Sequence, residues 1–176
     1  MTVKEFFKSK TLRCIVVLLC IALISGGLLA ICNDLLSVSA EERVQRTIKS
    51  IYGKEVAYTE VQADYRLDYG VIDNVYRLDD GNYLVRATGF DGYKQGTVSV
   101  WCVAYYQDGA FLGLNDVSIA AYDKQTLMSK WNAKTLAQYQ GSSEFDVTVS
   151  GATYSSHAVN NALNTVLRYL EEVQHD

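Results

Sequence analysis

The residues Ser150-Gly151-Ala152-Thr153-Tyr154-Ser155-Ser156 form the stretch of this chain whose types and spacing best suit ligand chemistry. Glycine and alanine let a ligand come close to the backbone, and the hydroxyls of Ser150, Thr153, Ser155 and Ser156 crowd a single turn. If a helix starts here, its first N–H groups lack intrahelical acceptors, and the positive end of its dipole faces the same turn. That junction suits a phosphate, with Ser150, Gly151, Ala152, Thr153, Ser155 and Ser156 as the binding set. The same residues also suit plain helix capping by Ser155 or Ser156, and taken alone they leave both readings open.

Other chemistry is sparse. His157 has no acid or nucleophile paired with it, and Cys14, Cys20, Cys32 and Cys102 follow neither a disulfide framework nor a metal-ligand spacing. No hydrolase triad, metal cluster or glycine-rich nucleotide loop is present in the sequence, so no catalytic residue and no metal ligand is assigned. Trp101, Tyr105 and Tyr106 offer rings that could stack on a planar ligand, but on a half-buried strand they fit core and cross-strand packing better.

The elements that must position the junction can be read from periodicity. Phe145, Val147 and Val149 alternate with polar residues, which predicts a strand over 145–149 leading into the junction. After it, Ala158, Val159, Ala162, Leu163, Val166, Leu167 and Leu170 recur at three- and four-residue steps, the apolar stripe of a terminal helix packed on a sheet. Asp80-Gly81, Asp91-Gly92 and Asp108-Gly109 separate apolar runs and predict strands over 71–78, 83–89, 97–106 and 110–121 as an antiparallel meander. Leu127, Met128, Trp131 and Leu136 predict a covering helix over 124–139, with Gly141 to stop it. Ser39 and Glu42 form a capping box ahead of an amphipathic helix carrying Val44, Ile48 and Ile51. The fold class expected is α+β.

Ahead of this domain, positions 14–32 hold nineteen residues without a charge. At about 1.5 Å per residue a helix of that length spans roughly 28 Å, close to the hydrocarbon thickness and beyond the usual core of a signal peptide. Lys4, Lys8, Lys10 and Arg13 precede the run against a single Glu5, which places the N-terminus in the cytoplasm and the domain outside. The expected organisation is a cytoplasmic N-terminus (1–13), a single transmembrane helix (14–32), a linker with an amphipathic helix (33–70) and an extracytoplasmic domain (71–176). Past Arg13 the chain carries twelve basic and nineteen acidic residues, a net charge near −7, which argues against a nucleic-acid partner.

The junction resembles the flavinylation motif of the FMN-binding domain family, which includes the G subunit of Rnf-type ion-translocating oxidoreductases and the C subunit of sodium-translocating NADH:quinone oxidoreductases. The resemblance extends to Gly89-Phe90-Asp91-Gly92-Tyr93, Asp108-Gly109 and Ser155-Ser156-His157-Ala158-Val159, and so covers roughly residues 84–170. It implies one transmembrane helix, an extracytoplasmic FMN-binding-like domain, and FMN joined through its phosphate to the hydroxyl of the last threonine of the motif, here Thr153. A dedicated flavin transferase makes that phosphoester in the family. Two stretches depart from the family pattern. The aspartate three residues before the motif is Val147 here, with Asp146 one position earlier, and a Glu-Thr-Pro-Gly stretch is replaced by Tyr122-Asp123-Lys124-Gln125-Thr126 in a chain without proline. The function implied is a membrane-anchored flavoprotein that relays electrons within a membrane oxidoreductase complex, with the other subunits, the transferase and the membrane as partners. The alternative is a non-redox binding or structural module of the same fold, with the junction serving only as a helix cap.

Overall fold

The computed structural model describes residues 10–36 and 39–173; the side chains of 10–13, 30–36 and 40 lie outside the described set. The chain divides into two compact units, Met1–Arg46 and Thr47–Asp176.

The first helix, α1, spans Lys10–Leu36, and its described side chains, those of 14–29, are all exposed. Among the described residues no helix is long and apolar enough to cross a membrane. The last part of the span expected at 14–32 lies outside the described side chains. The second helix, α2 (Ala40–Tyr52), begins as its capping box predicts, with the Glu42 N–H donating to Ser39 Oγ at 3.1 Å. Ile48 is fully buried and Ile51 half-buried on its apolar face.

The domain is built on an antiparallel sheet. Its strands are β1 (Tyr58–Val61), β2 (Arg66–Leu67), β3 (Gly70–Leu78), β4 (Tyr83–Gly89), β5 (Val98–Gln107) and β6 (Ala110–Tyr122). The order is β1-β3-β4-β5-β6, with β2 paired to the start of β3 on the edge that β1 occupies further along. The meander expected from the Asp-Gly punctuation is present with boundaries within a residue or so. Asp108 and Gly109 both take positive φ, the geometry of a two-residue turn whose twist matches its strands. The segment 58–67, expected as linker, adds two short strands to the sheet.

One face of the sheet carries Val85, Ala87, Val98, Val100, Cys102 and Ala104, and against it lies the long helix α4 (Thr153–Val173), whose predicted apolar stripe is buried. The helix comes close enough that a Cβ on Gly89 would sit 1.9 Å from Ala158 O, so only glycine fits at the end of β4. This contact fixes where the N-terminal half of α4 lies over the sheet.

Two expected elements differ. The helix predicted over 124–139 is a 3₁₀ turn (Thr126–Lys130) followed by a single-turn helix, α3 (Ala133–Leu136). Asn132 interrupts it: its side chain accepts from Thr135 N at 3.0 Å, capping a new helix where the old one would continue. Met128 still reaches the core, and Trp131 stacks on buried Tyr139 with ring centroids 5.8 Å apart. The segment 145–149 is extended but pairs with no strand. Its backbone bonds to side chains of α4: Asn164 Oδ1 accepts from Phe145 N and its Nδ2 donates to Phe145 O, and Asn160 makes the same pair with Val147. Ser156 Oγ then accepts from Val149 N. Two residues of extended chain advance about 6.6 Å and four of helix about 6 Å, so an extended segment running antiparallel to a helix meets a side chain at every fourth helical position.

Candidate functional site

Thr153 is the first residue of α4 and is exposed. The turn before it is tied at both ends. Ala152 N donates to Val149 O at 2.9 Å, and Ser156 N donates to Ala152 O at 2.9 Å as the first helical bond. Gly151, with φ +78°, turns the chain through the left-handed region that favours glycine, and a Cβ there would meet no atom within 4 Å. The N–H groups of Thr153, Tyr154 and Ser155 belong to the turn that an α-helix leaves without intrahelical acceptors.

These residues open onto a cleft of about 370 Å³, lined by Gly151, Ala152, Thr153, Tyr154 and Ser155 on one side and by Tyr93 and the Lys124–Leu127 loop on the other. Apolar surface is exposed around it: Tyr93, Leu127 and Tyr154 are each more than two-fifths exposed, and the two tyrosine rings approach to 6.2 Å between centroids. Lys124, the lysine of the lining, is paired with Asp123 at 3.4 Å, so the helix N-terminus is the feature that favours an anion here.

The expected binding set separates into two kinds of residue. Gly151 and Thr153 are exposed and line the cleft, Ala152 is buried and lines it too, and Ser150 is exposed but lies outside the lining. Ser155 and Ser156 are buried and their hydroxyls are engaged internally. Ser155 Oγ donates to Gln125 Oε1 at 2.8 Å, while Ser156 Oγ donates to Ala152 O at 3.1 Å and accepts from Val149 N. Ser156 also spends its N–H on Ala152 O, so it builds the turn and offers a ligand no donor. His157 is exposed, beside Asn161, away from the cleft lining.

Sequence reasoning missed the second wall. Tyr93 stood inside a family-like stretch, and Tyr122 to Thr126 stood where the family pattern breaks, yet neither was assigned to the site. Gln125, 1% exposed, joins the walls. Its Oε1 accepts from Tyr93 N (3.1 Å) and from Ser155 Oγ, while its Nε2 donates to Tyr93 O (3.1 Å) and Asp123 O (3.0 Å). All four hydrogen-bonding positions of the amide are filled with the chemistry each requires. An isolated glutamine in a polar loop carries no sequence signal for such a role.

The arrangement fits a phosphorylated planar cofactor: a hydroxyl and helix N–H groups beside exposed aromatic and aliphatic surface, and open space above Gly151 where a ligand can approach. Among the described residues no group of His, Cys, Asp or Glu could hold a metal ion. Residues 87–168, which include Tyr93, Gln125 and the whole junction, match the family model described as the FMN-binding domain. No curated protein and no solved structure matches the chain. With the helix start, the cleft and this match in agreement, residues 87–168 are assigned to the FMN-binding domain, which supports a flavin-binding protein with FMN as its cofactor.

Proposed function

We propose that this protein carries FMN covalently, as a phosphoester of Thr153, and passes electrons within a membrane oxidoreductase complex. The observation that carries the reading is the position of Thr153: an exposed hydroxyl on the first residue of α4, at the mouth of a cleft walled by Tyr93, Tyr154 and Leu127. When bound, the flavin supplies one- and two-electron redox chemistry, and the protein supplies placement and electrostatics.

Thr153 Oγ1 would hold the phosphate, and the N–H groups of the first turn of α4 are the donors that would stabilise its charge. The exposed surfaces of Tyr93, Leu127 and Tyr154 would pack against the ring and shield it from water. No residue of the cleft is arranged to activate a substrate, which suits an electron-transfer subunit whose complex oxidises the substrate elsewhere. Membrane anchoring is part of the same proposal, supported by the uncharged run at 14–32 and the basic residues before it. Covalent attachment suits an extracytoplasmic site, where a dissociating cofactor is lost by dilution.

The test is production of the full chain together with a flavin transferase. A denaturing gel viewed under ultraviolet light should show a fluorescent band for the parent and none for Thr153→Ala, with Thr153→Ser labelled more weakly. A fluorescent Thr153→Ala band rules out the assignment of this residue.

A further inference from the structure

The loop ahead of β5 is held in a conformation that its residues disfavour. Asp91, Lys94 and Gln95 all have φ between 53° and 62°, so three non-glycine residues within five positions sit in the left-handed region. Such strain persists only where the surroundings over-determine it, and here they do. Gly92 N donates to Gly96 O and Gly96 N to Tyr93 O, closing the loop on itself. The Gln125 amide takes both main-chain groups of Tyr93. It lies in a slot between two glycines, since a Cβ on either Gly92 or Gly96 would sit 2.6 Å from its Nε2. The same amide is tied through Ser155 to the first turn of α4.

The strained loop does not serve to bury Tyr93. The ring is 46% exposed and stands at the cleft, tilted against Tyr154, with Lys94 Nζ 5.4 Å from its centroid. From this we infer that Tyr93 is the ring-binding wall of the cofactor site and that Gln125 is a positioning residue. It latches the strained loop to the helix that carries Thr153, so that the aromatic wall and the phosphate end keep a fixed separation. The inference rests on the reading of the cleft as the flavin site. The chemistry recognised is the flat, electron-poor isoalloxazine ring, which stacks on an electron-rich phenol.

The test uses free riboflavin, which has the ring and lacks the phosphate, added to the full chain made without a transferase. Binding is read from quenching of flavin fluorescence. Tyr93→Ala should weaken binding about tenfold or more, the scale of one stacked ring, while Tyr93→Phe should stay close to the parent. Gln125→Leu should weaken it to a similar extent, and adding it to Tyr93→Ala should cost little further, since both act through the same ring. The Tyr93 variants change an exposed side chain and leave folding intact, so they decide the matter even if Gln125→Leu unfolds. Failure of the parent to bind riboflavin, or equal binding by parent and Tyr93→Ala, overturns the inference. Covalent labelling at Thr153 together with a Tyr93→Ala variant that binds riboflavin normally leaves the proposed function standing and removes this inference alone. Tyr93-dependent binding without covalent labelling does the reverse.

Discussion

Gly151 is the residue where backbone geometry and ligand access meet. Its φ of +78° disfavours any side chain by about 1–2 kcal/mol, yet nothing within 4 Å opposes an added Cβ, so substitution strains the turn without a clash inside the protein. Gly151→Ala tests the strain of a Cβ alone, while Gly151→Val, being β-branched, strains the turn more and adds bulk at the cleft. We therefore expect both to lower the melting temperature slightly, and Gly151→Val alone to reduce flavin attachment severalfold. Equal labelling of the valine variant and the parent removes the steric role of this position. Val147 bears on the same chemistry from the other direction. The family places an aspartate here, but in this chain the side chain packs against the core and the backbone is held by Asn160, while Asp146 is exposed. A transferase that reads this segment meets a carboxylate shifted by one residue, on the alternate side of the extended chain.

At the scale of elements, the segment 145–149 shows what alternation can and cannot reveal. The pattern of Phe145, Val147 and Val149 correctly marks an extended segment with one face on the core. It is silent on the hydrogen-bonding partner, which is a row of helix side chains. Asn160→Ala leaves both main-chain groups of Val147 without those partners and should cost about 2 kcal/mol in urea unfolding, the usual penalty for stranded polar groups. A loss under about 0.5 kcal/mol means that water replaces the amide and the ladder is dispensable. The meander and the terminal helix were legible because Asp-Gly turns and a long apolar stripe are dense local signals. The covering helix was misread because spacing alone favoured one long element, while a single asparagine restarted the helix at 132. Strands β1 and β2 were missed because four- and two-residue strands on a sheet edge carry too short a pattern. The helix side of the site was legible as the turn ahead of an apolar stripe. The Tyr93 and Gln125 side was not, because it is assembled from loops brought together by the sheet.

For the molecule as a whole, burial sets the response to alkali. Desolvation pushes the Cys102 thiol up to about 12, and desolvation followed by the hydrogen bond and charge of Glu172 pushes Tyr65 up to about 12. Tyr105 is raised too, first by desolvation and then by its bond to Asp116. Each group is neutral when protonated and has a folded-state value above its ordinary 9.0 or 10.0, so between those values and about 12 the unfolded chain releases protons that the folded one keeps. Stability is therefore fully present below about pH 9 and falls as pH rises beyond it. The melting temperature should be flat from pH 7 to 8.5 and decline towards pH 11; a flat profile throughout contradicts the raised values of buried Cys102 and of the partly exposed Tyr65 and Tyr105. The proposed topology makes a separate prediction: protease added to intact spheroplasts should digest the domain while the N-terminal segment stays protected. Recovery of the intact domain from the soluble fraction contradicts membrane retention.

The central claim is that Thr153 carries FMN, and the most direct measurement is the mass of the peptide containing it, from full chain produced with an active flavin transferase. A phosphoester forms with loss of one water, so the peptide should gain the mass of FMN less one water, and fragmentation should place the addition on Thr153. An unmodified Thr153 peptide under these conditions, or an addition placed on another residue, contradicts the account. The unmodified result leaves a helix cap on a non-redox module as the better description of the junction.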